Sequence, residues 1–148
     1  MPTRTARTAW NGTLEDGAGQ VELTSSGLST FDVSFPRRAA DDAEGVTSPE
    51  ELIAAAHSAC FAMQLSAVIA EHGGTPVALE VSADVSLGPH PEAGFRLTGI
   101  ALTVRGEVEG LDETAFVAAA NAAKETCPVS RALTGVEITL DAGLLTAD

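Results

Sequence analysis

The chain has 148 residues, and its 8 lysines and arginines against 21 aspartates and glutamates give a formal charge of −13. A surface this acidic repels phosphate backbones, which argues against a nucleic-acid partner. The hydrophobic content of 45% is too high for a disordered chain. At this length it predicts one compact domain over residues 1–148.

The start of the chain bears on its compartment. Residues 1–7 contain no apolar stretch, which predicts a cytoplasmic chain without a signal peptide. Residues 52–70 carry no charge and reach the length of a membrane span. They include His57 and Gln64, are rich in alanine and are flanked by glutamates. These features favour a helix buried on most sides of a soluble protein, without membrane contact.

The first third of the chain predicts β-structure. Polar and apolar residues alternate in three short segments, and glycine-containing turns separate the segments. The segments 8–14, 20–24 and 29–35 are therefore predicted to be strands. Residues 37–46 are polar and acidic, and they predict a loop.

A long helix should follow this loop. Ser48 can cap it, Pro49 suits its first turn, and the two glutamates that follow favour the positive end of the helix dipole. The pattern continues to about His72, where two glycines end it. Such a helix is about 33 Å long at 1.5 Å per residue, so it should form the centre of the core.

The remaining chain predicts more strands and a second helix. Asp112 can cap this helix and Pro128 stops it. The predicted segments are strands at 78–87 and 96–107, a helix at 113–126, a short turn at 129–133 and a strand at 136–141. This order predicts an α+β fold in which a long central helix and a second helix pack on an antiparallel sheet.

Cys60 and Cys127 are separated by 67 positions, which excludes a C-x-x-C redox loop and a zinc knuckle. His57 shares a helix face with Cys60, but no further ligand at matching spacing completes a metal site. We therefore predict no metal and no cofactor. Cys60 could be a small core residue. Cys127 precedes a proline and could cap a short helix whose N–H groups stabilise a thiolate, so either cysteine could be the reactive one.

Arg37 and Arg38 stand out in an acidic stretch. They could be an ordinary solvated loop pair. They could equally deliver a guanidinium group to an anion such as a thiolate.

Two motifs resemble those of the OsmC/Ohr superfamily, the osmotically inducible and organic hydroperoxide resistance proteins. The central-helix motif reads TSPEELIAAAHSACFAM at residues 47–63, and the second-cysteine motif reads KETCPVSRAL at residues 124–133. The segments ADVSL at 83–87 and VEITLD at 136–141 also fit. The glutamate pair and His57 are closer to the OsmC branch than to the Ohr branch.

The resemblance implies a thiol-dependent peroxidase that reduces organic hydroperoxides and, less well, hydrogen peroxide. It also implies an intertwined homodimer with two sites at the interface, and an external thiol as reductant. By this resemblance Cys60 is the peroxidatic cysteine and Cys127 the resolving one. Glu50 matches the family's glutamate. Arg38 matches its arginine best, with Arg37 as the alternative.

The implied chemistry requires a cation near Cys60. Burial raises the pKa of a thiol, and the helix dipole fades within one turn, so a mid-helix thiolate needs a partner such as Arg38. Glu50 would hold this arginine in place. Attack on a peroxide would leave a sulfenic acid at Cys60, which Cys127 converts to a disulfide. The side chains expected to line the site for an alkyl tail are those of Phe35, Phe61 and Met63.

Glu50 and Cys60 are ten residues apart, which corresponds to about 15 Å along an unbroken helix. Either the helix breaks between them or two chains build each site. The alternative function is a non-catalytic module of the same fold that binds a small apolar ligand in the interface pocket.

Overall fold

The computed structural model describes residues 1–145, which fall into two compact units. The first unit is Met1–Leu52, and the second begins at Ile53. The strands are β1 (Arg7–Asn11), β2 (Ala18–Glu22), β3 (Thr30–Val33), β4 (Thr75–Pro89), β5 (Phe95–Glu109) and β6 (Ile138–Leu144). The helices are α1 (Phe35–Arg38), α2 (Pro49–Glu71), α3 (Glu113–Thr126) and α4 (Pro128–Ala132).

The first unit contains a three-stranded antiparallel sheet in the order β1-β2-β3. The three predicted strands are confirmed; the first and third are shorter than expected, and the second has the expected length but begins two residues earlier. The prediction is wrong after Val33, where the short helix α1 replaces the strand end and the start of the loop. Ser34 caps this helix by accepting a hydrogen bond from the Arg37 N–H at 3.4 Å, and Pro36 lies in its first turn. A serine followed closely by proline is a helix start.

Helix α2 begins and ends as predicted and has no break. The Ser48 hydroxyl accepts a hydrogen bond from the Glu51 N–H at 3.1 Å, which caps its first turn. At the other end Gly73 takes the left-handed conformation with φ of 84°, and the Gly74 N–H donates to the Ile69 carbonyl at 3.0 Å. This glycine-dependent turn closes the helix.

The second unit contains a sheet in the order β4-β5-β6. Strands β4 and β5 pair antiparallel along their whole length, as predicted. Strand β6 pairs parallel to β5, so the prediction of an entirely antiparallel sheet is wrong at this strand. The parallel direction follows from the connection between β5 and β6. This connection contains α3 and α4, which return the chain to the end of the sheet at which β5 starts.

The core of the second unit lies between its helices and one face of β5. Ile100, Leu102, Val104 and Gly106 of β5 are buried, and they form the apolar face that the alternation predicts. A Cβ at Gly106 would lie 2.8 Å from the Phe116 ring of α3, so glycine makes room for this aromatic side chain. The other buried residues of this core come from α2, α3 and the junction between α3 and α4; they are Phe61, Leu65, Val68, Ile69, Phe116, Ala119, Ala120, Ala123 and Cys127.

The opposite side of α2 is exposed, so the prediction of a helix buried on most sides is wrong for the single chain. Met63 is 74% exposed there. This exposed α2 face consists of Ala55, Ala56, Ala59, Met63, Ala67 and Ala70. By length and composition alone α2 could cross a membrane, but the core helix of a soluble protein meets the same test.

Candidate active site

Cys60 and Cys127 come together in the second unit. Their Sγ atoms are 3.3 Å apart, and both are free cysteines. Cys60 projects from α2 and is half-buried, whereas Cys127 is fully buried. Cys127 ends α3 and begins α4, and its N–H donates to the Ala123 carbonyl at 2.8 Å. A disulfide bond requires a separation of about 2.05 Å, so an approach of about 1.3 Å would join the two sulfurs.

The Cys60 thiol is a weak acid within this unit. Burial raises its pKa, and the neighbouring Cys127 raises it further, while the Val129 N–H acts in the opposite direction. Among the described residues, no lysine or arginine contributes to this shift. A thiolate at Cys60 therefore needs a cation from elsewhere, as its mid-helix position predicts.

The Cys127 thiol is the more acidic of the two. Burial raises its pKa, but several donors outweigh burial and bring the pKa below its ordinary value. These donors are the Ser130 N–H, the Cys60 thiol, the Ser130 hydroxyl and the Val129 N–H. The Cys127 side chain nevertheless does not form a standard N-cap hydrogen bond with α4. The expectation that the N–H groups of a short helix stabilise a Cys127 thiolate agrees with this lowered pKa.

His57 and Ser130 form a second buried contact beside the cysteines. His57 Nε2 and Ser130 Oγ are 2.7 Å apart, and the two residues are 0% and 5% exposed. Burial lowers the pKa of His57. From the sequence, the only functional role considered for His57 was that of a metal ligand, and Ser130 was not identified as a site residue. The signal that could have found the pair is the shared spacing, since His57 lies three residues before Cys60 and Ser130 three after Cys127.

Arg38 and Glu50 form a closely held ion pair in the first unit. Arg38 Nη2 donates to Glu50 Oε1 at 2.7 Å, and Arg38 Nε lies 3.1 Å from both carboxylate oxygens. The last turn of α1 carries the arginine, and the first turn of α2 carries the glutamate. Glu50 is only 8% exposed. Two guanidinium nitrogens on one carboxylate fix the orientation of the arginine.

Arg37 has a different partner from Arg38. Its Nη2 lies 2.7 Å from Glu44 Oε2, and both side chains of this pair are more than a third exposed. Of the two arginines, Arg38 is the one that contacts Glu50. Which of them stabilises the thiolate stays a prediction.

An apolar cavity of about 440 Å³ lies in the first unit next to Arg38. Its lining residues are Thr8, Trp10, Leu14, Val21, Val33, Ser34, Phe35, Arg38, Pro49 and Leu52. Of the three predicted lining residues, Phe35 lies here. Phe61 is fully buried in the core of the second unit, and Met63 lies on the exposed α2 face. A lining role for these two stays a prediction.

No group of three or more histidine, cysteine, aspartate or glutamate side chains within residues 1–145 is arranged to hold a metal ion.

The chain resembles known proteins along most of its length. The family model for OsmC-like protein matches residues 41–141. Peroxiredoxin OsmC of Escherichia coli is 43% identical over 132 residues, which cover 89% of this chain and 90% of the relative. The organic hydroperoxide resistance protein OhrB of Bacillus subtilis is 32% identical over 126 residues, covering 84% and 88%.

Solved structures agree with this relationship. A crystal structure of an organic hydroperoxide resistance protein OsmC from Legionella pneumophila superposes with a TM-score of 0.77 at 32% identity. The match covers 97% of this chain and 98% of that one. The resemblance read from the two cysteine motifs is confirmed, and the chain belongs to the OsmC family.

Proposed function

We propose that the protein is a thiol-dependent peroxidase that reduces organic hydroperoxides to alcohols. The observation that carries the proposal is the approach of two free thiols, Cys60 and Cys127, to 3.3 Å in a chain of the OsmC family. Relatives named peroxiredoxin OsmC and organic hydroperoxide resistance protein support the same activity.

The proposed reaction uses two thiols as the source of two electrons. The Cys60 thiolate attacks one peroxide oxygen, the O–O bond breaks, and the leaving alkoxide takes a proton to become the alcohol. Cys60 is then a sulfenic acid. Cys127 attacks its sulfur, the S–S bond forms, and the departing hydroxide leaves as water. An external thiol reduces the disulfide and completes the cycle.

Exposure decides which cysteine meets the peroxide. Cys60 is half-buried, whereas Cys127 has no exposed surface. Cys60 is therefore the peroxidatic residue in our proposal, although its thiol is the weaker acid of the two in this unit. The Arg38 guanidinium supplies the missing cation and stabilises charge on the leaving oxygen. Glu50 is the residue that orients it.

The proposed assembly is a homodimer with two sites at its interface. Because α2 is unbroken, the alternative in which it breaks between Glu50 and Cys60 is wrong. Their ten-residue separation along this helix corresponds to about 15 Å of rise. We therefore propose that the ion pair of Arg38 and Glu50 acts on Cys60 of the partner chain. The exposed α2 face supports this, since five alanines and Met63 present an apolar surface for a second copy.

The cavity in the first unit supports a substrate with an apolar tail. Its lining is apolar except for a few polar groups, and Arg38 is the one charged lining residue among those that the structure describes. A peroxide group held at Arg38 would leave an alkyl tail against Phe35 and its apolar neighbours. Hydrogen peroxide has no tail, so we propose that it is the poorer substrate. We also propose a cytoplasmic location, where cellular reductants keep thiols reduced.

Single-turnover oxidation of the reduced protein tests the activity. We expect one equivalent of cumene hydroperoxide to yield one equivalent of cumyl alcohol, with loss of both free thiols. Mass spectrometry of the digest should show a disulfide between Cys60 and Cys127. Two intact thiols after excess peroxide would overturn the proposal.

The apolar cavity also favours the second candidate, a module that binds a small apolar ligand without turnover. Co-purified lipid on a protein that leaves cumene hydroperoxide unchanged would support that function instead.

A further inference from the structure

Two side-chain contacts lie one helical turn apart beside the thiols. One joins Cys60 to Cys127 at 3.3 Å, and the other joins His57 Nε2 to Ser130 Oγ at 2.7 Å. On α2 the histidine precedes the cysteine by three residues. On α4 the serine follows the other cysteine by three residues. The peroxidase chemistry described above uses the first contact and leaves the second without a role.

The hydrogen-bonding partners of His57 define its tautomer. Its Nδ1 atom is buried and has no hydrogen-bond partner among the described residues. If Nε2 accepted the Ser130 proton, Nδ1 would carry an N–H that is buried and unpaired. Buried N–H groups without a partner are rarer than unpaired acceptors. His57 therefore donates from Nε2 to Ser130 Oγ, and burial keeps the ring neutral.

This assignment also directs the Ser130 hydroxyl proton. With its oxygen accepting from His57, the hydroxyl is free to donate to a different atom. Ser130 is the third residue of α4, and Cys127 is the N-cap of the same helix, the two positions that a capping box brings together. The Ser130 hydroxyl is also one of the groups that lower the pKa of Cys127, so we assign the Cys127 sulfur as its acceptor. Ser130 is also 5% exposed, and water has little access to compete for this proton. The donors thus form one line from His57 through Ser130 to Cys127.

We propose that His57 is a positioning residue for the second half of the catalytic cycle. It fixes the Ser130 hydroxyl so that this hydroxyl donates to the Cys127 thiolate, which speeds disulfide formation and leaves peroxide attack at Cys60 unaffected. The inference rests on the proposed peroxidase function.

The step balances without consuming either helper. The Cys127 thiolate attacks the sulfur of the Cys60 sulfenic acid, the S–S bond forms and the S–O bond breaks. The departing hydroxide combines with the proton that Cys127 has released, and water leaves. Ser130 keeps its hydroxyl proton, and His57 keeps its Nε2 proton throughout.

Paired substitutions test the two helper residues. Ser130→Ala removes the hydroxyl and Ser130→Thr keeps one. His57→Leu removes the donor at similar volume, while His57→Gln retains an N–H group near the Nε2 position. We expect Ser130→Ala and His57→Leu to slow disulfide formation by about tenfold, the effect of losing one hydrogen bond to a charged group. The threonine and glutamine variants should remain within about threefold of the unmodified chain, as rescue by the conservative change.

Rapid-quench kinetics separate the two steps. Reduced protein is mixed with cumene hydroperoxide and quenched with dimedone, which labels sulfenic acid. The rise of label at Cys60 reports peroxide attack, and its decay reports conversion to the disulfide. Ser130→Ala and His57→Leu should leave the rise unchanged and prolong the decay.

A second readout follows the acidity of Cys127 itself. In a Cys60→Ser background, ultraviolet thiolate absorbance against pH gives the pKa of Cys127. Among the described residues, α2 brings two titratable groups toward Cys127. One is Cys60, which is absent in this background, and the other is His57, which acts by way of Ser130. Ser130→Ala should move the Cys127 titration to higher pH, and His57→Leu should move it in the same direction.

Gln64→Leu is the matched control. It removes the bond from Gln64 Nε2 to Thr126 Oγ1 at 2.9 Å, which also joins α2 to the end of α3 and touches neither sulfur. We expect it to leave both rates unchanged. Three results would each overturn the proposal. Gln64→Leu could slow disulfide formation as much as Ser130→Ala does, Ser130→Ala could slow peroxide attack and disulfide formation equally, or Ser130→Ala could change neither step. Two intact thiols in the unmodified chain after excess peroxide would instead refute the peroxidase function.

If His57→Leu does not fold, unchanged disulfide formation in Ser130→Ala still overturns the proposal, because His57 acts through Ser130.

Discussion

Arg38 donates hydrogen bonds to the Glu50 carboxylate from two guanidinium nitrogens, from Nη2 at 2.7 Å and from Nε at 3.1 Å. The neighbouring Arg37 instead pairs with Glu44 at the surface. The two adjacent arginines thus have different ion-pair partners, and only the partner of Arg38 is a buried carboxylate. This difference gives the proposed catalytic cation a direct test.

Replacing Arg38 should impair the first chemical step. Without a cation the Cys60 thiol keeps its raised pKa, and the leaving oxygen loses its stabilising charge. We expect Arg38→Ala to lower the second-order rate constant for cumene hydroperoxide by about 10²- to 10³-fold. Arg38→Lys should recover little of it, because lysine lacks the two-pronged geometry. Stopped-flow measurement of single-turnover oxidation gives the rate constant.

Arg37→Ala is the matched control for this experiment, since it removes the same group one position earlier. We expect a change of less than about twofold, as for an exposed ion pair. A larger loss in Arg37→Ala than in Arg38→Ala would reverse the assignment.

Serine substitutions at the two cysteines should block different steps of the reaction. Cys60→Ser should abolish peroxide reduction, because the remaining Cys127 sulfur is fully buried. Cys127→Ser should still reduce one equivalent of peroxide and then hold a sulfenic acid at Cys60, since the resolving thiol is absent. Mass spectrometry after dimedone labelling distinguishes these products. Full turnover in Cys60→Ser would contradict the assignment of the peroxidatic residue.

A charge on the exposed α2 face should separate the proposed dimer. Met63→Glu would place a carboxylate in a surface of alanines, where burial against a second copy is unfavourable. We expect sedimentation velocity to show a shift to monomer, with peroxidase activity falling by at least about tenfold. Ser82→Glu, on an exposed position of β4, is the control and should stay assembled. A monomeric Met63→Glu protein with full activity would show that each chain holds a complete site.

Mixed dimers test directly whether two chains build one site. Arg38→Ala and Cys60→Ser should each be inactive alone. After subunit exchange, half of the dimers pair an intact arginine from one chain with an intact cysteine from the other, at one of their two sites. Activity should then return to about a quarter of the unmodified level. No recovery, despite mixed dimers detected by native mass spectrometry, would mean that the site lies within one chain.

The stability of the fold should depend on pH through His57. Burial places the pKa of this histidine below its ordinary value of 6.5, so between these two pKa values the unfolded chain binds a proton that the folded chain does not. The free energy of unfolding should therefore decrease as the pH falls below 6.5, and this loss should end once the pH passes the folded pKa. Urea denaturation between pH 7.5 and 5.5 measures it. His57→Gln should flatten the pH profile over this interval.

Local chemistry made the helix ends predictable. Ser48 and Asp112 are caps whose side chains accept backbone hydrogen bonds in the structure, and proline stops α3 where expected. Helix α1 was missed because the alternation of residues 29–35 continues up to Pro36. The parallel direction of β6 was missed because alternation reveals which face is buried and not which way a strand runs.

The candidate site was likewise predictable only in part from the sequence. Distances along the chain say nothing about contacts across 67 positions, so the proximity of Cys60 and Cys127 came from family resemblance alone. The ten-residue separation of Glu50 and Cys60 did carry physical information, because an unbroken helix fixes the distance along its axis. Ser130 was missed because its position three residues after Cys127 gains a meaning only when its buried partner His57 is known.

The equal spacing of the two contacts beside the thiols constrains which sequence changes the protein can tolerate. One residue inserted between His57 and Cys60 would turn one of them by about 100° around α2. The histidine or the cysteine would then lose its partner, and the same holds between Cys127 and Ser130. Substitutions can accumulate at the intervening positions, but insertions and deletions cannot. The spacings H-x-x-C and C-x-x-S must therefore both be kept for the two contacts to form, although most of the second unit separates them along the chain.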